Sequence, residues 1–377
     1  MRLVDTISLR SRERKLRLFL DELRPTPETT VLDVGADERG FGDGGGCGTL
    51  NFFEEHYPWP ERITALGLHP GERFRARYPA VKRTTRAEEL IADPDVEAVA
   101  IATPVGTHYR LARAALEAGK HVFVEKPLAA SNAEATELVQ IADAAGLVLM
   151  PGHTFLYSPP VILIRDLISS GELGEIYFIS TSRVNLGLHQ PDVSVAWDLG
   201  PHDFSILRYW LDELPTEVAA WSRGCVIPTI PDVAFINLAF PSGTIGHVEI
   251  AWLAPSKLRR TAIVGSSKMV LYDDTSPEPV RIFDSQVMLR DPASFGEFQL
   301  SYRTGDIVSP RVEPAEPLLR ELEDFRLAVV EGLRPRSHAQ LGLDVVRIVE
   351  AVERSLDLEG ARVKVLDVDQ EAAAGVP

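Results

Sequence analysis

Val96-Glu-Ala-Val-Ala-Ile-Ala-Thr-Pro104 and His121-Val-Phe-Val-Glu-Lys-Pro127 are the two runs that decide the fold. Each is short, apolar and bounded by proline, so each reads as a buried strand. Between them residues 106–118 read as a helix, and Gly119 supplies its stop. Strand, helix and strand in this spacing predict a parallel pair joined by a right-handed crossover.

The same alternation continues outward. Downstream, 132–145 reads as a helix closed by Gly146, and 147–150 as a strand. Upstream, a short helix lies around 87–92, with strands at Thr30-Val-Leu-Asp-Val-Gly35 and Ile63-Thr-Ala-Leu-Gly-Leu68. The pattern predicts an α/β N-terminal domain over 1–150, a Rossmann-like doubly wound parallel sheet. Near residue 151 the pattern changes. A helix at 161–170 leads into alternating runs at 176–184, 217–223, 233–240, 244–252 and 260–264. Helices near 317–331 and 339–358 close the chain. Period-two alternation between Gly, Pro, Asn and Asp breaks predicts an α+β C-terminal domain over 151–377, built on a large, mainly antiparallel sheet.

The chain has 377 residues, 45% hydrophobic and 25% charged, which suits a globular protein with a full core. Lys and Arg total 39 against 55 Asp and Glu, a net charge of −16. Nucleic-acid phosphate and anionic membrane are therefore not expected partners. No run approaches the roughly 20 apolar residues of a transmembrane helix. Charges from Asp5 to Arg17 break any signal-peptide pattern, and 11–24 reads as an amphipathic helix packed on its own domain. Cys47 and Cys225 can build neither a disulfide framework nor a cysteine zinc site. No metal is expected, and the expected compartment is the cytoplasm.

Chemistry concentrates where the two deciding strands end. Thr103 and Pro104 follow one strand, and Glu125, Lys126 and Pro127 follow the next, at the carboxyl edge where such sheets bind ligands. A lysine there can hold or polarise a substrate oxygen. Further on, Pro201 suits the first turn of a helix, with Asp198 just before it and His202 inside it. An imidazole titrates near neutrality and can accept an alcohol proton; Asp198 can orient it or bind a hydroxyl. A blander reading has Asp198 as a helix cap and His202 as a packed core histidine. His153, Tyr157, Arg183, Asn185 and His189 are polar candidates for a substrate wall, Arg183 and Asn185 alternating onto one strand face.

These motifs, with Gly152-His-Thr-Phe-Leu-Tyr157, Ser170-Gly-Glu-Leu-Gly-Glu-Ile176 and Trp197-Asp-Leu-Gly-Pro-His-Asp203, resemble the Gfo/Idh/MocA family over about 82–365. The resemblance implies an NAD- or NADP-dependent oxidoreductase acting on a secondary alcohol of a sugar, nucleotide sugar or cyclitol. It places Lys126 at the nicotinamide and completes the catalytic set with Asp198 and His202. Thr103, Pro104, His108, Glu125, Lys126 and Pro127 are then expected to face the cofactor.

The start of the chain departs from that family. No G-x-G-x-x-G turn follows a strand near residue 5. A longer Gly-rich loop supplies Gly35, Gly40 and Gly42 as the expected cofactor turn, and it carries Asp37, Glu38 and Asp43. The second strand ends Gly67-Leu-His69, with no carboxylate before Glu72 where a ribose-binding acid is expected. Residues 1–80, through Val31-Leu-Asp-Val-Gly35, Asn51-Phe-Phe-Glu-Glu-His-Tyr-Pro-Trp-Pro60 and Arg62-Ile-Thr-Ala-Leu-Gly67, resemble the start of a class I S-adenosylmethionine-dependent methyltransferase. That predicts a join near residue 80 and a weakly held dinucleotide. Two alternatives stand beside the oxidoreductase: a weak or inactive relative that binds a sugar or a partner subunit, and a methyltransferase. Finally, the C-terminal helices suffice to cover one face of the large sheet. Phe235, Val248, Ile250 and Trp252 are expected on the other face, joining a homo-oligomer.

Overall fold

The computed structural model describes strands at 31–34, 63–66 and 82–84, then residues 86–187, 189, 193–290 and 299–366. Gly35, Gly40, Gly42, the leading helix over 11–24 and the last ten residues lie outside the described residues. The chain forms two compact units, Met1–Gly152 with Leu318–Gly342, and His153–Pro317 with Leu343–Pro377. The crossing falls close to residue 151. Residues 318–342, expected with the second domain, pack instead with the first: Phe325 meets Phe123 edge-on, with ring centroids 5.7 Å apart.

In the first unit, β1 (Val31–Val34), β2 (Ile63–Leu66) and β3 (Lys82–Thr84) pair in parallel in the order β1-β2-β3. β4 (Ala98–Ile101), β5 (His121–Glu125) and β6 (Leu149–Gly152) form a second parallel ladder. β1 lies alongside β4, which brings the two three-stranded ladders together in the order 3-2-1-4-5-6 expected of a doubly wound fold. β3 is a polar Lys-Arg-Thr strand that apolar patterning does not reveal. The helix Asn132–Ala145 has the bounds its sequence announces. Ser131 caps its start by accepting from the Glu134 N–H at 3.2 Å, and Gly146 closes it in the left-handed region at φ 65°.

Among the described residues the second unit has a nine-stranded sheet. Its strands are β7 (Ile176–Leu186), β8 (Glu217–Arg223), β9 (Val233–Ala239), β10 (Ile245–Ala251), β11 (Leu253–Gly265), β12 (Met269–Asp273), β13 (Val280–Arg290), β14 (Gln299–Val308) and β15 (Val363–Lys364). Their order is β14-β13-β12-β11-β7-β10-β9-β8-β15. Every pair is antiparallel except β7 with β10. The inner face carries Ile179, Ile236, Val248, Ile250 and Ile263, all buried. This corrects the expected apolar outer face: Val248, Ile250 and Trp252 are buried. Val248 sits opposite Ile236, whereas Phe235 pairs with Glu249 and points the other way. Phe235, at 42% exposure, and its cross-strand neighbour Trp221, at 55%, do lie on the outer face.

Candidate active site

The carboxyl edge of β4 and β5 is built by register. Ile101 pairs with Val124, so Thr103-Pro104 and Glu125-Lys126-Pro127 leave the sheet side by side. The Thr103 and Thr107 hydroxyls meet at 2.6 Å, and Thr107 Oγ1 donates to the Pro104 carbonyl at 2.7 Å, closing the turn into the helix His108–Glu117. Ala102 and Pro104 stay exposed at the edge. The Lys126–Pro127 peptide is cis. The Lys126 N–H donates to Glu125 Oε2 at 3.2 Å. Burial pushes the Glu125 carboxyl above the usual range, against the pull of the Lys126 N–H and charge.

His108 does not open onto this edge. It is buried, with Nδ1 2.9 Å from the Pro127 carbonyl and Nε2 2.7 Å from the Thr103 carbonyl. Its ring ties the loop after β4 to the loop after β5. Its place in a Thr107-His108 pair at a helix start gives no sign of that.

In the second unit, Asp198 ends the short helix Val195–Asp198, and His202 lies in the first turn of Gly200–Leu211. The two helices follow each other directly, so the four-residue spacing places both side chains in one short region. Asp198 Oδ2 accepts the Trp252 indole N–H at 3.0 Å. The His202 ring meets Phe155 edge-on, with centroids 4.9 Å apart. The guanidinium carbons of Arg183 and Arg259 lie 4.6 Å and 5.3 Å from the centre of the same phenyl ring.

Arg183 is a correction to the expected substrate wall. It is buried and committed to Asp203, whose carboxylate also accepts from the Thr181 hydroxyl at 2.8 Å. Burial works to lower the Arg183 guanidinium pKa, and the Asp203 charge and hydrogen bond outweigh it and hold it above its ordinary value. Thr181 and Arg183 alternate onto one strand face, and that face meets the helix carrying His202. His153 and Tyr157 are also buried; Asn185 and His189 keep partial exposure. His189 Nε2 lies 3.6 Å from buried Asp232. Despite its burial, the Asp232 carboxyl is held below the usual range by backbone N–H groups of Cys225 and Val226. Phe155, Asp203 and Trp252 around the Asp198–His202 pair were not singled out for this site by sequence.

Two parallel three-stranded ladders in the order 3-2-1-4-5-6, and a second unit built on a large mixed sheet, give the chain an α/β Rossmann-like and an α+β part. The chain carries both domains of the Gfo/Idh/MocA family. Residues 60–153 match its "Oxidoreductase family, NAD-binding Rossmann fold" profile, and 161–271 match its C-terminal domain. The first match begins at residue 60, so the join expected near residue 80 is corrected and the methyltransferase resemblance is not supported.

The chain is 32% identical to 1,5-anhydro-D-fructose reductase from Ensifer adhaerens, over 45% of this chain and 55% of that one. It is 33% identical to the scyllo-inositol 2-dehydrogenase (NADP(+)) IolW of Bacillus subtilis strain 168, over 36% and 37%. The chain spans 42% to 65% of the length of the first curated relatives it matches. In fold it is similar to GenD2 from gentamicin A biosynthesis, solved in complex with NAD: TM-score 0.69, 21% identity, covering 90% of this chain and 97% of that one.

Proposed function

We propose that this chain is an NAD(P)-dependent oxidoreductase that moves a hydride between nicotinamide and a carbinol carbon of a sugar, nucleotide sugar or cyclitol. The observation that carries the reading is the pairing of Thr103-Pro104 with Glu125-Lys126-Pro127 at the carboxyl edge of a sheet that matches an NAD-binding family. Exposed residues at 102 and 104 and a half-buried cation on the neighbouring strand end fit a dinucleotide. When bound, that cofactor supplies the hydride acceptor or donor. Thr103, Pro104, Glu125, Lys126 and Pro127 would hold it. His108 serves the same edge from beneath, by holding two of its loops.

In this reading His202 takes the hydroxyl proton of the alcohol, the Lys126 ammonium steadies the oxygen as it becomes a carbonyl, and Asp198 orients the imidazole or holds a hydroxyl. Asn185 and His189 supply polar wall for a polyhydroxy substrate. The known activities of the reductase and the inositol dehydrogenase support a sugar or cyclitol. The outer face of the second sheet, with Trp221 beside Phe235 and Ile245 beside Phe178, supports assembly of copies of this chain through that face. A second reading, a relative with weak or no turnover, is favoured by the lack of a carboxylate between Gly67 and Glu72.

Lys126→Met and His202→Ala test the leading reading. Each is expected to lower turnover about a hundredfold or more, the scale for a positioned acid–base group. Near-normal turnover in a folded variant would remove that residue from the mechanism.

A further inference from the structure

We infer that Trp252 is a positioning residue for Asp198, holding its carboxylate in one orientation through a donated indole hydrogen bond. The inference rests on the proposed role of Asp198 in the oxidoreductase reaction.

An indole N–H only donates, and when buried it needs an acceptor. The second unit meets that need in two ways. Trp210 Nε1 donates to a backbone carbonyl, that of Val161, at 2.9 Å. Trp252 Nε1 instead donates to a carboxylate oxygen, Asp198 Oδ2, at 3.0 Å, four residues before His202. The first arrangement completes a core. The second spends a rigid donor on a side chain of the candidate site.

The surroundings of Trp252 restrain it on every bonded side. Its backbone N–H donates to the Asp232 carbonyl at 2.9 Å, and its own carbonyl accepts from the Gly187 N–H at 2.9 Å. The indole packs against Gly187 so closely that a Cβ there would stand 2.6 Å from Trp252 Cδ1. The His189 ring flanks it at 5.3 Å between centroids. The helix that ends in Asp198 is tied to the same point, because the Val195 N–H donates to the Pro231 carbonyl at 2.9 Å. Pro231 and Asp232 therefore hold donor and acceptor from adjacent peptide units. Asp232 is itself fixed by the N–H groups of Cys225 and Val226, at 2.9 Å and 2.8 Å. The result is a carboxylate whose rotation is restricted by a planar group that has little freedom of its own. A catalytic constellation gains from such support because reaction rates depend steeply on orientation.

The test is a double-mutant cycle on the full chain, using Trp252→Phe, Asp198→Asn and the pair. Steady-state rates are measured with NAD+ and NADP+ against scyllo-inositol, myo-inositol and D-xylose, the cycle being run on whichever of these the wild type oxidises, and melting temperature is followed in parallel. Trp252→Phe is expected to lower kcat/KM by about tenfold, equivalent to about 1.4 kcal/mol, mostly in kcat. In the Asp198→Asn background the same change is expected to cost less than about twofold, because the oriented carboxylate is already gone. Gly187→Ala gives an independent perturbation: the indole is kept, but the added methyl pushes the ring from its position. It is expected to lower kcat in the same direction, with KM little changed.

Equal losses from Trp252→Phe in both backgrounds would show a structural role only and overturn the inference. So would unchanged kcat in Trp252→Phe with Asp198→Asn impaired. If Trp252→Phe does not fold, the Gly187→Ala measurement decides: unchanged kcat there overturns the inference. Full activity of Asp198→Asn would instead overturn the proposed role of Asp198, a separate and distinguishable failure.

Discussion

His108→Ala removes a ring lodged between two loops of the candidate cofactor edge. The imidazole nitrogens stand 2.9 Å from the Pro127 carbonyl and 2.7 Å from the Thr103 carbonyl, and the residue is buried. Carbonyls only accept and a neutral imidazole carries one N–H, so at least one contact is a donated hydrogen bond. Leaving a buried carbonyl without its donor costs about 1–3 kcal/mol. The vacated ring leaves a cavity, adding on the order of 1 kcal/mol. The sum, about 2–4 kcal/mol, corresponds to a fall in melting temperature of about 4–16 °C for a unit of this size. Because Thr103 and Pro127 flank the proposed nicotinamide side, NADH affinity should fall with it. Calorimetry and NADH titration of the purified variant check both. A melting temperature within about 2 °C of wild type, with unchanged NADH affinity, would refute the strut reading of His108.

Three further outcomes are expected. Burial raises the Glu125 pKa, so stability falls as pH rises from the unfolded carboxylate value near 4 through the raised folded-state value; Glu125→Gln should therefore raise the melting temperature at about pH 7, and the gain should vanish as pH falls through the ordinary carboxylate range near 4. Phe235→Asp places a charge on the outer sheet face beside Trp221, and light scattering at micromolar concentration should register a loss of mass if that face joins copies of the chain. Gly67→Asp, directly after β2, supplies the carboxylate that an open α/β sheet uses for ribose; calorimetry should show NADH bound about tenfold more tightly, the scale of one charge-assisted hydrogen bond.

The first unit was legible where its residues repeat a local physical rule. Alternating apolar strands and capped helices marked β4, β5, β6 and the helix Asn132–Ala145, since Ser131 and Gly146 satisfy its ends from within the sequence. β3 escaped because Lys82-Arg-Thr84 has no apolar period. In the second unit, alternation showed that Val248, Ile250 and Trp252 share a face. It could not say which face the helices cover, and a one-residue register difference puts Phe235 on the other side. The parallel pairing of β7 with β10 also leaves no mark in either strand. Around the candidate site, the sequence pattern made legible the positions of Lys126 directly after β5 and of Asp198 and His202 about one helix start; the roles given to them are proposals. Arg183, His108 and Trp252 were not readable in their observed roles. Their partners, Asp203, two loop carbonyls and Asp198, come from segments 5 to 54 residues away that only folding brings together.

The most direct test of the oxidoreductase reading is a fluorescence titration of the purified chain with NADH and with NADPH. The expected result is saturable enhancement of nicotinamide fluorescence with one of the two, weakened in His108→Ala, and oxidation of the bound form when a keto-sugar or inosose is added. No change with either dinucleotide up to about 1 mM, the upper end of ordinary enzyme affinities, would contradict it.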